Sequence, residues 1–205
     1  MQVKIFLLTA LITFFSTTSS SLAMKMDFKH HMGEIINSYL VIKSDLSSDK
    51  TAQVAEESKK IINHAEKIEH LIKTTSHGGE FHKFHSKINI HLLKEFVEKL
   101  PGKSIKDIRW NFKPISDVIV KYVDLFGKPM NVKEDKLYTF HCPMYEGGSD
   151  WVQAGKTTAN PFYGSMMLKC GTLKSESSAK SGSKGMHMQM KSGSHSMPME
   201  GSHSK

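Results

Sequence analysis

Cysteine and arginine are scarce in this chain of 205 residues, which has two cysteines and one arginine, Arg109. Two cysteines are too few for a disulfide-dense miniprotein, and 14 glycines and 6 prolines are too few for collagen. The longest apolar run, residues 5–15, is shorter than the roughly 20 residues of a membrane span. These absences exclude a polytopic membrane protein and leave one ordinary domain with appendages.

Catalytic signatures are also missing. The sequence has no Ser/His/Asp order, phosphate-binding loop, H-E-x-x-H or C-x-x-C-H motif, so we predict that the protein is not an enzyme. Lys and Arg total 28 against 20 acidic residues, a net charge of +8, but no basic-aromatic motif accompanies the charge. We therefore expect a Lys-rich helical surface, or attraction to an anionic envelope or partner, and no binding of nucleic acid.

The first 23 residues have the pattern of a signal peptide. Lys4 precedes the apolar run, and Ser21-Leu22-Ala23 matches the small-x-small cleavage rule. We predict cleavage after Ala23 and a periplasmic or secreted mature protein without a stable membrane span. The alternative is an uncleaved N-terminal anchor.

Residues 24–128 contain four segments with apolar residues at helical spacing. The segments run from Ile35 to Ile42, Val54 to Ile72, Phe84 to Leu100 and Ile105 to Phe126, and Pro114 is expected to kink or split the last one. Short connections between helices of this length predict an all-α fold, an antiparallel four-helix bundle.

The remaining residues lack helical periodicity. Residues 129–173, which include both cysteines, predict an irregular or short-stranded cap packed on the bundle as part of the same domain. Residues 174–205 contain no aromatic residue and no Leu, Ile or Val. Such a segment cannot bury enough apolar surface to offset its ordering entropy, so we predict a disordered tail.

Methionine and histidine, by contrast, are abundant at 13 and 12 residues, and the tail contains many of them. Thioether sulfur is a soft, neutral ligand suited to Cu(I) or Ag(I), and it needs no deprotonation. The alternative is chance enrichment in a low-complexity segment. The predicted tail ligands are Met186, His187, Met188, Met190, His195, Met197, Met199 and His203.

The cap contains a second candidate site. Its ligands would be His141, Cys142, Met144, Met167 and Cys170, a set typical of a soft-metal site. In an oxidising compartment, a Cys142–Cys170 disulfide is the competing interpretation, and the sequence leaves both open.

Helical histidines form a further group, with His82 and His85 one turn apart between His77 and His91, and with His30-His31 near the start of the mature chain. Paired histidines on a Lys-rich helix are usually solvated, so metal binding is the weaker interpretation for them.

Two of the motifs that contain these cysteines are similar to those of an exported bacterial family of unknown function. That family occurs alone or fused to periplasmic adaptor subunits of CusB-type copper/silver efflux pumps, and its pattern reads C-P-M-A, W-L-S and N-P-Y-F-G-x-x-M-L-x-C-G. The matching residues here are Cys142-Pro143-Met144, Trp151, Asn160-Pro161-Phe162-Tyr163-Gly164 and Met167-Leu168-Lys169-Cys170-Gly171.

The resemblance extends over about residues 30–173 and departs from the pattern at Tyr145 and at Val152-Gln153. It implies a role in envelope copper or silver handling, with an efflux adaptor or another envelope protein as partner. We therefore expect a periplasmic copper/silver-binding protein that sequesters the ion or delivers it to an efflux system. The alternative is a disulfide-stapled interaction module of the cell envelope without a metal function.

Overall fold

The computed structural model describes residues 3–75 and 79–178, with side chains from residue 21 onward. Within these ranges the chain forms five α-helices, followed by three β-strands. The helices are α1 (Val3–Ser47), α2 (Val54–Lys73), α3 (Glu80–His85), α4 (Ile90–Val97) and α5 (Ile105–Phe126). The strands are β1 (Lys136–Cys142), β2 (Ser149–Gln153) and β3 (Thr172–Ser178).

The prediction of an all-α four-helix bundle with an irregular cap is wrong, because the fold is mixed α/β. The three strands form an antiparallel sheet in the order β2-β1-β3. Residues 137–140 of the central strand β1 are all buried, so the strand lacks the apolar–polar alternation that identifies a half-exposed strand. A buried run of this length shows no periodicity, so the sequence leaves irregular and short-stranded structure open for residues 129–173 and does not predict an ordered sheet.

The third predicted helix is divided in two. Apolar residues keep helical spacing from Phe84 to Leu100 without a break in the sequence. In the structure, however, α3 ends at His85 and α4 begins at Ile90. Asn89 caps α4, because its side-chain oxygen accepts a hydrogen bond from the Leu92 N–H at 2.9 Å. A local capping residue thus starts a new helix although the apolar spacing does not change.

Pro114 lies inside α5 and does not split it. Phe112 before the proline and Ile115 and Ile119 after it are all fully buried in the same hydrophobic core. Burial on both sides of the proline stabilises one continuous helix against the missing backbone hydrogen bond.

The predicted disordered tail begins too early, because residues 174–178 belong to β3. This strand has one apolar residue, Leu173, and pairs with β1 from Thr172↔His141 to Ser178↔Lys136. An edge strand of such polar composition is stabilised by backbone pairing, supported here by a 2.6 Å ion pair between Lys136 and Glu176. Residues 179–205, with all the predicted tail ligands, lie outside the described residues.

The sheet packs against α1 and α5 through aromatic side chains. Tyr39 of α1 stacks on Phe112 of α5 with centroids 4.9 Å apart, and Phe112 contacts Phe162 of the β2–β3 connection. The Tyr39 hydroxyl accepts a hydrogen bond from the Val152 N–H of β2 at 3.2 Å and lies 2.8 Å from Ser116 Oγ. Helices and sheet therefore share one hydrophobic core.

Helix α1 includes the predicted cleavage position after Ala23, and the signal peptide stays a prediction. In the described ranges, no helix has the length and apolar character needed to cross a membrane.

Candidate thiol and metal site

The two cysteines meet at the end of the sheet. Cys142 is the last residue of β1 and is fully buried, while Cys170 lies just before β3 and is half-buried. Their Sγ atoms are 3.0 Å apart as free thiols. The hydrogen bond with Cys142, together with burial, raises the pKa of Cys170 to about 11, so this thiol is protonated at neutral pH.

The N-P-F-Y-G motif positions Cys170. The Asn160 side chain is fully buried and holds three backbone groups of the same loop. Its Oδ1 accepts hydrogen bonds from the Phe162 N–H at 2.8 Å and the Tyr163 N–H at 3.3 Å, and its Nδ2 donates to the Cys170 carbonyl at 2.8 Å. The motif is therefore an architectural element that places one thiol opposite the other.

The single arginine anchors this loop to the helices. Arg109 of α5 donates hydrogen bonds to the Pro161 carbonyl at 3.0 Å and to the Leu46 carbonyl at 2.7 Å. It also pairs with the Asp49 carboxylate at 2.6 Å, and the Ser165 N–H donates to the other Asp49 oxygen at 3.1 Å. These hydrogen bonds, from Ser165 and from Arg109, lower the pKa of Asp49 to about 2.

The glycine after Cys170 is required by close packing. Gly171 has a φ of +138°, and a Cβ at this position would collide with the Trp151 ring. Trp151 is fully buried and stacks on Phe140 with centroids 5.5 Å apart. Because only glycine fits both the backbone conformation and the space, the final glycine of the C-G motif fixes the chain direction at Cys170.

Two exposed methionines lie near the cysteines in sequence. Met144 follows Cys142 by two residues and is 63% exposed, and its carbonyl accepts a 2.8 Å hydrogen bond from the Tyr163 hydroxyl. The Met167 carbonyl accepts a 2.9 Å hydrogen bond from the Cys170 N–H. The backbone of both methionines therefore belongs to the segments that position the two thiols.

His141 belongs to a different cluster from the thiols. Neighbouring residues of a strand point to opposite faces, so His141 points away from Cys142. The His141 Nδ1 lies 2.6 Å from Asp150 of β2, and Lys174 of β3 pairs with the same carboxylate. Burial would raise the pKa of Asp150, but the hydrogen bonds from Lys174 and His141 outweigh it and lower that pKa.

Asp150 is expected to stabilise the sheet in a pH-dependent way. We predict that Asp150→Asn lowers the free energy of unfolding by about 0.5–1 kcal/mol at pH 7, the range of partly exposed ion pairs. Since the folded pKa is lowered, the contribution is present above the ordinary aspartate pKa of about 4 and is lost as the pH falls through the folded value. Urea unfolding at pH 7 and at pH 3 should show the difference between variant and wild type shrinking in acid.

Asp117→Asn is the matched control for this prediction, because Asp117 forms an exposed i,i+4 pair with Lys113 on α5. Asp117→Asn should lower the free energy of unfolding at pH 7 by less than Asp150→Asn does. Equal costs for the two variants would contradict a special role for the carboxylate that links the three strands.

The thiol geometry is compatible with both interpretations of the cysteine pair. A separation of 3.0 Å lies between the roughly 2.05 Å of a disulfide bond and the roughly 3.8 Å of two thiolates on a tetrahedral metal ion. Each state is within about 1 Å of the observed positions. Oxidation requires the sulfur atoms to approach, and metal binding requires them to separate slightly and to lose their protons.

The structure brings together part of the predicted cap site. Cys142 and Cys170 are in contact, Met144 and Met167 lie near them in sequence, and His141 lies on the other face of the sheet. Across residues 3–75 and 79–178, no three His, Cys, Asp or Glu side chains converge as a metal-binding group. Any metal at the cap would therefore depend on the two thiols and on thioether sulfur.

The helical histidines are partly brought together. The rings of His82 and His85 are 5.0 Å apart, and His85 is buried against Phe81. His91 lies 3.8 Å from the Glu69 carboxylate, and His77 lies outside the described residues. His85 thus takes part in helix packing, and His91 forms a pair with a carboxylate at the surface.

Asn160, Tyr163 and Lys174 were missed as contributors to the site. Asn160 and Tyr163 occur in the motif that carries the family resemblance, and that motif was the available signal for both. Lys174 had no such signal, because its role depends on β3 pairing with β1.

Comparisons with models of protein families, with curated proteins and with solved structures gave no match. The resemblance to the exported family associated with CusB-type adaptors therefore stays a prediction from the motifs.

Proposed function

We propose that this protein is an exported copper- or silver-binding protein of the cell envelope, acting in metal sequestration or delivery to an efflux system. The observation that carries the proposal is the 3.0 Å contact between Cys142 and Cys170, in segments that also contain exposed methionines. Thiolate and thioether sulfur together form the ligand set that Cu(I) and Ag(I) prefer.

The distribution of methionine supports a binding role. Of the ten large apolar side chains that are exposed in the described part of the chain, five are methionines. Methionine is ordinarily among the most buried residue types, so its surface position needs a reason other than core packing. Three of the five, Met144, Met166 and Met167, belong to the segments that contain the cysteines.

We propose different binding roles for the folded part of the chain and for residues 186–203. The folded part would hold one ion between the thiols, and residues 186–203 would collect further ions through methionine and histidine. A copper/silver efflux adaptor, or another envelope protein, is the proposed recipient. The predicted signal peptide would deliver the chain to that compartment.

Anaerobic Cu(I) titration of the reduced mature chain against a competing chelator tests the proposal. We expect Cys170→Ser to lose about one tight equivalent, because a hydroxyl is a poor ligand for a soft ion. A chain ending at Ser178, which keeps β3 intact, should lose the additional, weaker equivalents and retain the tight one.

Met130→Leu is the control, since Met130 is 91% exposed and lies away from both cysteines in sequence. It should titrate as the wild type does. Unchanged binding in Cys170→Ser would remove the cap from the mechanism, and unchanged binding in the chain ending at Ser178 would remove the tail.

A disulfide-stapled interaction module is the second candidate, and an exposed aromatic surface favours it. Trp110 of α5 is 57% exposed beside a cleft of about 730 Å³ lined also by Tyr145, Phe162 and Met166. In this case the two cysteines would be oxidised and would fix the loop that forms the cleft. A thiol count on protein taken from the oxidising compartment separates the candidates: no free thiol, together with no Cu(I) uptake by the chain ending at Ser178, favours the module.

A further inference from the structure

Two histidines on different helices face each other across the α1–α2 interface. The Nδ1 atoms of His31 and His64 are 3.1 Å apart, and the ring centroids are separated by 5.2 Å. Both side chains are half-buried. The residues are 33 positions apart, so the contact results from the packing of α1 on α2 and no sequence motif signals it.

We propose that His31 and His64 form a binding site for a divalent transition-metal ion of the Zn(II) or Cu(II) class, which cross-links α1 to α2. Both ligands are imidazole nitrogens, which these ions accept readily. The site uses neither cysteine nor methionine and is independent of the proposed Cu(I) function.

The distance between the two nitrogens fits one shared ion. With metal–nitrogen bonds of about 2.0–2.1 Å, two neighbouring ligands lie about 2.9 Å apart at a right angle and about 3.3 Å apart at the tetrahedral angle. The observed 3.1 Å lies between these values, so the two nitrogens need little change in separation, although the rings would turn to direct both lone pairs at the ion. Metal at both Nδ1 atoms places the remaining proton of each ring on Nε2.

The charges around the pair are mixed. Glu34, one turn after His31, interacts electrostatically with His64, and Asp27 interacts with His31. Lys67 acts on both histidines more strongly than either carboxylate does, so a bound ion would be held by its bonds to the two nitrogens and not by the local charge. The Glu34 Oε1 accepts a 2.8 Å hydrogen bond from Asn131, which fixes this carboxylate beside α1.

Access and protonation are also suitable. His31 lines an open cleft of about 440 Å³, together with Asn63, Glu66, Lys67, His70 and Leu71, so an ion and its completing water molecules can enter. Burial lowers the pKa of both histidines, and each also feels neighbouring positive charge, so a lone pair is available on each ring at neutral pH.

Thermal unfolding of the full mature chain with Zn(II) or with EDTA tests the site. An ion that bridges two helices binds the folded state selectively, so Zn(II) at about a hundredfold excess over Kd should raise Tm by about 5 °C or more. The rise should be lost in both His31→Gln and His64→Gln. The rise should also persist in a chain ending at Ser178, which lacks the histidines of residues 179–205.

His70→Gln is the matched control, since His70 lies on α2 beside the same cleft but outside the histidine pair. It should keep the Zn(II)-dependent rise, as should Cys170→Ser, which separates this site from the proposed copper site. An equal rise in the wild type and in both pair variants would overturn the proposal.

A second measurement covers the case in which the pair variants are too unstable to compare. Long-range ¹H–¹⁵N spectra of the wild-type imidazoles should show Nδ1 of His31 and His64 shifting on addition of Zn(II), with the proton on Nε2. Absence of any shift, with no rise in Tm, would leave a hydrogen bond between the rings as their only role and would also overturn the site.

Discussion

Asn160→Ala is expected to lower the free energy of unfolding by about 2–4 kcal/mol, because it leaves three buried or half-buried backbone groups without their hydrogen-bond partner. Those groups are the N–H of Phe162, the N–H of Tyr163 and the carbonyl of Cys170. Alanine has no side-chain donor or acceptor to replace the Asn160 amide, and the fully buried position admits little water. The loop should consequently release Cys170 from Cys142.

Urea unfolding gives the stability change, and the rate of alkylation of Cys170 under reducing conditions reports its release. We expect faster alkylation in Asn160→Ala than in the wild type. Asn111→Ala is the control, since Asn111 of α5 is half-buried and, within the described part of the chain, its side chain bonds only to the Asp107 carbonyl of its own helix. A small stability loss in Asn160→Ala, with unchanged alkylation, would show that the loop holds its shape without this side chain.

The sequence predicts the helices well where apolar spacing and packing agree. The first predicted segment, Ile35 to Ile42, lies within α1, and the second and fourth correspond to α2 and α5. Asn89 and Pro114 show opposite effects. At Asn89 a local cap starts a new helix despite continuous apolar spacing, and at Pro114 the shared core maintains a helix despite a local breaker.

The sheet was not predictable by the same rules. The central strand β1 is buried on both faces and has no alternation, and β3 has almost no apolar residue. Each strand is stabilised by the other through backbone pairing, which depends on contacts far apart in sequence. Composition alone assigns residues 174–178 to a tail, although Glu176 and Lys174 both make ion pairs across the sheet.

The candidate site was predictable in its residue types and only partly in its geometry. Ligand chemistry grouped Cys142 with Cys170, and the structure brings these two side chains into contact. Their grouping with the methionines stays a prediction. His141 was grouped with them by sequence proximity, but once β1 is recognised as a strand, adjacent residues must point to opposite faces. His31 and His64 are the opposite case: they are far apart in sequence, and the packing of α1 on α2 brings them into contact.

Phe112→Ala is expected to be the most destabilising of the substitutions considered, by about 3–5 kcal/mol. Phe112 is fully buried, stacks on Tyr39 of α1 and contacts Phe162 beside the cysteine loop. Removing the ring leaves a cavity where helices and sheet meet, so both parts should lose stability together. Unfolding followed by far-ultraviolet dichroism, for the helices, and by fluorescence of the buried Trp151 should give coincident transitions at a lower urea concentration.

Trp110→Ala is the matched control, since Trp110 is an aromatic residue of the same helix with 57% of its surface exposed. It should cost less than about 1 kcal/mol, although it removes one of the two tryptophans from the fluorescence signal. Separate transitions for the helical and the tryptophan signals in Phe112→Ala would mean that the sheet unfolds independently of the helices. In that case the loop that contains Cys170 would be stabilised mainly by the hydrogen bonds of Asn160 within it, and the cap would be a second cooperative unit.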